Sequence, residues 1–352
     1  MQVIFNSFIG NETVKERLYR TIQSGRASHA YLLEGSAGSG KKTLAYHITA
    51  ALNCENTSDT VPCGSCLTCR KIYRGISPDV VYTSLDKKAK SIGVEKIRQM
   101  LEHVQVAPND LQMKVYIIDH AHKLTEQAQN ALLKLMEEPP GRALFLLLCE
   151  NSSMLLPTVR SRTQQLRMEL FSDETLYEYV MENEPLAESL QRTAPERLML
   201  LLRLSNGTIG SAKRYLSYTE DKLEADPQFS SYQMTEETLK ILCGDMHAGG
   251  GRSVSLILAL SERIRDRDQA GAYLDKLAAM ARDILCVKKG LRRKLLFFLN
   301  EEDAEQAALH FTEAGISGLL TSVIQSKQSL SANPNQQILL QKVCYSALGA
   351  LA

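Results

Sequence analysis

The stretch HAYLLEGSAGSGKKTLAYHITAAL, residues 29–52, constrains the fold of this chain more than any other. A short apolar run (29–34) leads straight into a glycine loop, GSAGSGKKT (35–43), and KKTLAYHITAAL (41–52) continues with helical spacing. Strand, glycine turn and helix in that order open a crossover unit, the building block of parallel sheets covered by helices. The loop nearly spells G-x-x-x-x-G-K-[ST], in which backbone N–H groups wrap phosphates, the lysine reaches the outer phosphates and the final hydroxyl binds Mg²⁺. Gly35, Gly38, Gly40 and Lys41 are the candidate phosphate-binding residues, but the hydroxyl position holds Lys42, and an ammonium does not ligate Mg²⁺. Either Thr43 supplies the hydroxyl from one residue further on, or the loop keeps the shape of an ATPase without the reaction.

The same alternation continues to about residue 165. DVVYTSL (79–85), KVYIID (114–119) and ALFLLLC (143–149) read as three further buried strands. TEQAQNALLKLMEEPPG (125–141) reads as a helix with Thr125 as its N-cap and Pro139 and Pro140 ending it. Past residue 167 the strand signals stop and helix follows helix, with a polar, poorly periodic segment at 219–233 that marks a domain boundary. With 41 Lys+Arg against 40 Asp+Glu, nothing in the overall charge calls for non-specific nucleic-acid or anionic-membrane binding. The N-terminus has no basic stretch ahead of a long apolar core, and the longest apolar run, 143–149, is too short to cross a bilayer. A cytoplasmic location is therefore expected.

KVYIID ends in Asp119, the acidic residue that a phosphate loop needs at the tip of a neighbouring strand. In an oligomeric ATPase the residue after it is normally a glutamate that activates water; here it is His120. A histidine is a general base in principle, but Lys42 and His120 alter two independent parts of one machine, and loss of hydrolysis is the simpler reading.

Four of the eight cysteines crowd into C-x₈-C-x₂-C-x₂-C, as Cys54, Cys63, Cys66 and Cys69, with Pro62 and Gly64 supplying turns. Four thiolates satisfy tetrahedral Zn²⁺ with no open position, which makes a structural site. An iron–sulfur cluster of the bacterial ferredoxin kind needs a fourth cysteine three residues past the third and then a proline, whereas RKIY follows Cys69. Disulfides are the poorer reading in a reducing cytosol. LLPTVRSRT (155–163) places Arg160 and Arg162 in a short polar loop after the last buried strand. Read blandly they are solvated surface; read functionally, an arginine at the rim of such a sheet reaches a neighbouring subunit's phosphoryl group. The basic run VKKGLRRK (287–294) has no interleaved aromatic and reads as a solvated helix face, and His29 and His103 have no metal-ligand spacing.

Together, SHAYLLEG, the glycine loop, the four cysteines, NALLKLMEEPP and LPTVRSRT resemble the AAA+ clamp-loader subunits of bacterial DNA polymerase III, specifically over residues 1–170 and only in architecture beyond. Two kinds of subunit in that family carry such a domain. The motor kind, gamma/tau, has Thr after the loop lysine and Glu after the strand aspartate; in the other kind both have decayed, and Lys42 and His120 resemble that kind. SNGTIGSA (205–212) sits where motor subunits carry a sensor arginine in a G-S-x-R pattern, and Gly210 takes the arginine's place. Ser161-Arg162 fits the family's Ser-Arg-Cys motif, with Thr163 for the cysteine.

The resemblance implies an α/β P-loop (AAA+) parallel-sheet domain at 1–167 with a small zinc knuckle at 54–69, a helical lid domain at 168–222 and an all-α collar domain at 223–352. It implies a pentameric ring with gamma/tau and delta subunits, reaching the sliding clamp and primed DNA through the assembly, with no membrane contact. Arg162 would act in trans as an arginine finger, Zn²⁺ would be structural, and ATP or ADP would meet a degenerate site of Gly35, Gly38, Gly40, Lys41, Thr43 and Asp119. Two alternatives stay open. In one the chain is itself an ATPase motor, with Thr43 or water replacing the missing ligand and His120 as base. In the other it is a P-loop phosphotransferase, which needs an acceptor pocket over the sheet.

Overall fold

The computed structural model describes residues 5, 8–56, 61–86, 89–102, 104, 106–137, 142–244, 251–264, 266–291, 294–330 and 335–351. Pro139, Pro140, His103, Arg292 and Arg293 lie outside the described residues. The chain divides into two compact units, Met1–Leu176 with Asn206–Ser211, and Tyr177–Ser205 with Ala212–Ala352.

The first unit is a five-stranded parallel sheet with helices on both faces. Its elements run α1 (Glu12–Gln23), β1 (Ala30–Glu34), α2 (Lys41–Asn53), α3 (Leu67–Tyr73), β2 (Val80–Thr83), α4 (Val94–Leu101), β3 (Lys114–Ile118), α5 (Glu126–Glu137), β4 (Ala143–Cys149), α6 (Pro157–Ser161) and β5 (Gln164–Arg167). The strand order is β2-β3-β4-β1-β5, all parallel, in registers such as Leu32↔Leu147 and Ile117↔Leu146. Alternation splits each strand between two cores, because successive side chains point to opposite faces. Ala30, Leu32, Tyr116, Ile118, Phe145 and Leu147 pack with α4, α5 and Val159 of α6. Tyr31, Leu33, Val115, Ile117, Leu144 and Leu146 pack with α1 and α2. Both faces of β4 are covered, which is why ALFLLLC reads as one unbroken apolar run.

Four strands fall where the sequence puts them, but β2, expected to be buried, is an edge strand that buries only Thr83, and the fifth strand is a finding. β5, QQLR, buries only Leu166, since it is an edge strand pairing with β1 alone. The expected polar loop before it is in part the short helix α6, begun by Pro157 in the first turn, with Arg162 as its C-cap. Thr125 caps α5 as expected, its hydroxyl accepting from the Ala128 amide at 3.3 Å.

Two helices, α7 (Asp173–Asn183) and α10 (Ile209–Leu216), carry unit boundaries within them. The second unit otherwise holds α8 (Pro185–Thr193), α9 (Pro195–Leu204), α11 (Glu220–Glu224), α12 (Pro227–Gly244), α13 (Gly251–Glu262), α14 (Arg267–Lys288), α15 (Glu301–Ala308), α16 (Glu313–Leu330) and α17 (Gln336–Leu348). Buried α14, with Tyr273, Leu274, Leu277, Met280 and Ile284 in one core, is the axis against which α12, α15, α16 and α17 pack. The polar segment 219–233 is helical rather than a linker. Its continuation in α12 buries Ser231, Met234, Thr235 and Thr238, a stripe at helical spacing built largely of hydroxyls. The two threonine hydroxyls are satisfied locally: Thr235 donates to the Ser231 carbonyl at 2.9 Å and Thr238 to the Met234 carbonyl at 2.8 Å. Among the described residues no helix is long and apolar enough to cross a membrane.

Candidate functional site: a phosphate-loop cleft and a cysteine cluster

In an open parallel sheet, ligands bind beyond the carboxyl ends of the strands. The order β3-β4-β1 brings three strand ends together there: Asp119 after β3, Glu150 after β4 and the glycine loop after β1. They border a cleft of about 360 Å³ lined also by Lys41, Lys42, Thr43, His120 and His122. Gly38 and Gly40 adopt φ of +77° and +90°, a left-handed backbone that lets the loop turn into the N-terminus of α2. The amide of Gly35 donates to the Cys149 carbonyl at 3.1 Å, fastening the loop's start to β4. Its middle is fastened by Gly210, whose amide donates to the Gly38 carbonyl at 3.0 Å. A Cβ at Gly210 would stand 2.8 Å from that carbonyl oxygen, so the residue at the expected sensor-arginine position is a contact surface for the loop.

Lys41 donates to the carbonyls of Gly35 at 2.7 Å and Ser36 at 2.8 Å. Burial pulls its pKa below the usual lysine value, and Glu150 and Asp119 partly offset that. Lys42 points elsewhere: its ammonium lies 4.1 Å from the centroid of the Tyr82 ring, a cation–π contact. The Tyr82 hydroxyl donates to Asp119 Oδ2 at 2.6 Å, and the His120 amide donates to Asp119 Oδ1 at 2.8 Å. Both carboxylate oxygens at the metal end of the cleft are therefore bonded to protein donors. His120 adopts φ of +55° and has its Nδ1 3.2 Å from the Ser84 hydroxyl. His122, buried and held below the usual histidine pKa by that burial, accepts the Glu150 amide at Nδ1.

The expected loop residues and Asp119 are thus brought together, and Thr43 also lines the cleft. Tyr82, His122 and Glu150 were not foreseen. Arg162 is not among the residues lining this cleft; its guanidinium forms an ion pair with Glu137 and donates to the Thr158 carbonyl at 3.2 Å. Arg160 diverges from it and lines a second cleft with Arg17, Glu34 and Arg167.

The four cysteines converge, their Sγ atoms all within 4.8 Å of one another. Cys54 and Cys69 Sγ are 3.8 Å apart, the edge length of a tetrahedron with metal–sulfur bonds of about 2.3 Å. Amides of Cys66 and Cys69 donate to the sulfurs of Cys63 and Cys66 at 3.3 Å each, an arrangement that favours thiolates. At Cys63 burial opposes ionisation, yet the Cys66 amide and Ser65 outweigh it and bring the thiol down to about 6. The donor set therefore fits a tetrahedral thiophilic metal. The cluster also packs on the phosphate-loop helix: Ala50 of α2, Cys54, Cys69, Ile72 and Leu111 form one small core. The Tyr73 hydroxyl and His47 Nδ1, from α3 and α2, share a hydrogen bond of 2.8 Å.

A parallel sheet of this order, with a glycine phosphate loop after the first strand and an aspartate after the third, defines a P-loop domain of the AAA+ kind. Residues 10–172 match the family described as DNA polymerase III, delta subunit. The tau subunit of DNA polymerase III from Salmonella typhimurium is 32% identical over 265 residues, 72% of this chain and 40% of that protein. The delta' subunit from Bacillus subtilis is 27% identical over 330 residues, 93% of each chain. Among solved structures, a gamma subunit-related protein from Thermotoga maritima covers 95% of this chain and 98% of its own at 18% identity and a TM-score of 0.44, too loose to add to the sequence relationship. This chain belongs to the clamp-loader subunits of DNA polymerase III related to gamma and tau. It spans about two fifths of the tau subunit it matches.

Proposed function

We propose that this chain is a delta-prime-like clamp-loader subunit that does not itself hydrolyse ATP and instead supplies Arg162 in trans to the ATP site of a neighbouring gamma/tau subunit. The observation that carries this reading is the metal end of the cleft. Lys42 replaces the magnesium hydroxyl, His120 replaces the water-activating glutamate, and Asp119 has both oxygens bonded to Tyr82 and to the His120 amide. Arg162 lies outside the chain's own cleft on the C-cap of α6, which supports a role toward a neighbour. In this reading residues 168–222 form a lid and 223–352 a collar that joins delta and gamma/tau subunits in a five-membered ring. The ring then loads a sliding clamp onto primed DNA in the cytoplasm. Zn²⁺ held by Cys54, Cys63, Cys66 and Cys69 would be structural, stiffening the knuckle against α2.

Thr43 lines the cleft, and this favours one competing reading, an active motor with the hydroxyl displaced by one residue. ATPase turnover in a reconstituted clamp loader, with the isolated chain as control, separates the two. The expected result is a silent isolated chain and a fall of at least about tenfold in the assembly's rate on Arg162→Ala, since an arginine finger is worth about 10³–10⁵ in rate. Turnover by the isolated chain that Lys41→Ala abolishes, with no effect of Arg162→Ala, identifies a motor instead.

A further inference from the structure

The cleft has lost its metal end while its phosphate end is intact. The glycine loop keeps its left-handed turns, Lys41 remains, and space of about 360 Å³ stands open before α2. A Mg²⁺ ion entering there would find no hydroxyl at position 42, an aspartate already bonded to a phenol and an amide, and an ammonium beside it. We propose that this cleft binds the phosphate tail of a nucleoside di- or triphosphate without a divalent cation, with the Lys42 ammonium supplying the positive charge that the metal supplies elsewhere.

The charges support the exchange. Lys41 and Lys42 line the cleft with Asp119 and Glu150, so their formal charges cancel, whereas a hydroxyl at position 42 would leave one ammonium against two carboxylates and a cation still to be supplied. Lys42 is exposed and rests on the face of Tyr82 without a carboxylate partner among the described contacts, so it is free to turn toward a phosphate. Tyr82 has a second task, since its hydroxyl bond keeps the Asp119 carboxylate turned to the protein and away from the phosphates. Bound nucleotide would then hold the loop in shape without being cleaved. The inference rests on the non-hydrolysing reading above and deepens it.

The test is calorimetric titration of the full chain with ADP and with ATP, once in EDTA and once in excess Mg²⁺, alongside a hydrolysis assay. Binding in EDTA is expected, weakened at least about threefold by Mg²⁺, because the chelated tail carries less charge to pair with two ammoniums. Lys42→Thr, an exposed position whose folding is checked by circular dichroism, should weaken binding in EDTA about tenfold, the worth of one good charge-assisted contact, and Lys41→Ala should abolish it. Absence of binding in EDTA, or binding that Mg²⁺ tightens tenfold or more, overturns the inference. If the chain is also silent in hydrolysis, the non-hydrolysing reading stands; Mg²⁺-dependent turnover by the isolated chain overturns both.

Discussion

The cleft and the cysteine cluster lie in the same unit and are joined by α2, which begins at the phosphate loop and gives Ala50 to the cluster's core, and each is written in the sequence as a metal motif. In the cluster all four ligands are present and converge. In the cleft the backbone of the motif is present, while Lys42 and His120 occupy the positions of the motif's magnesium hydroxyl and water-activating glutamate. The difference teaches that a phosphate loop has two separable halves. Its glycines serve the geometry of the strand-to-helix turn and cannot change without moving α2, whereas the hydroxyl and the base serve only the reaction. A four-cysteine metal site of the proposed kind has no such division, because any one ligand lost would open the site and untie a knuckle with little core of its own.

The comparison breaks first, and by the largest effect, if the cluster carries no metal. Elemental analysis of protein purified without chelator should give one zinc per chain. Cys69→Ser should lose it and unfold the knuckle, since structural zinc binding is worth about 10–16 kcal/mol in isolated zinc modules. The loss should be felt in α2 as well, through the core that Ala50 shares with Cys54, Cys69 and Ile72. Metal-free protein whose thermal unfolding is unmoved by Cys69→Ser would mean that the cysteine cluster, too, keeps the form of its motif without the metal.

A smaller effect separates the wall of the cysteine cluster from the proposed metal. Asp79, fully buried ahead of β2, accepts amide hydrogens from Asn109 at 2.9 Å, Asp110 at 2.7 Å and Leu111 at 3.0 Å, and Leu111 belongs to the knuckle's core. Burial alone would raise its pKa, but these amides outweigh it and hold the carboxyl below the usual aspartate value. A carboxylate so depressed contributes stability above its unfolded pKa of about 3.9 and loses it as pH falls through the lower folded value. Asp79→Ala should cost about 2–4 kcal/mol at neutral pH, because the Leu111 amide is left buried and unpaired while water reaches the exposed residues 109 and 110. Denaturant titration should show that cost shrinking below about pH 4. A cost unchanged at low pH would mean that the carboxylate's charge contributes nothing.

The same contrast governs what could be read from the sequence. Apolar runs announce themselves, so β1 to β4 were legible, β2 among them although it lies at an edge and buries only Thr83, while the polar edge strand β5 was not, with Leu166 its single buried residue. The start of α12, 227–233, escaped because the buried stripe it opens carries Ser231, Thr235 and Thr238, and periodicity searches look for leucines. In the cleft, the loop, Lys41 and Asp119 were legible as motif positions. Tyr82 was not, since a tyrosine in a strand carries no signal of its own. Only the β2–β3 pairing, with Tyr82 opposite Ile117, brings its hydroxyl to Asp119 two residues on. His122 and Glu150 likewise enter through sheet order rather than through spacing in the chain. Arg162 was legible by motif, but its partner Glu137, on α5, was not.

That partner gives the smallest effect and the sharpest division of roles. Glu137 and Arg162 are both partly exposed, so their ion pair contributes less than about 1 kcal/mol to stability, and Glu137→Gln should leave the unfolding midpoint nearly unmoved. For Arg162 to reach a neighbouring subunit it must give up Glu137, and the pair then acts as a resting place whose loss favours the reaching state. In a reconstituted assembly Glu137→Gln should hold or raise the rate, by no more than about fivefold, the kinetic equivalent of 1 kcal/mol. If the rate instead falls as far as it does with Arg162→Ala, Glu137 is a positioning residue that aims the guanidinium. The chain would then export a built pair of side chains to its neighbour, and the part of the machine it has kept would be larger than one arginine.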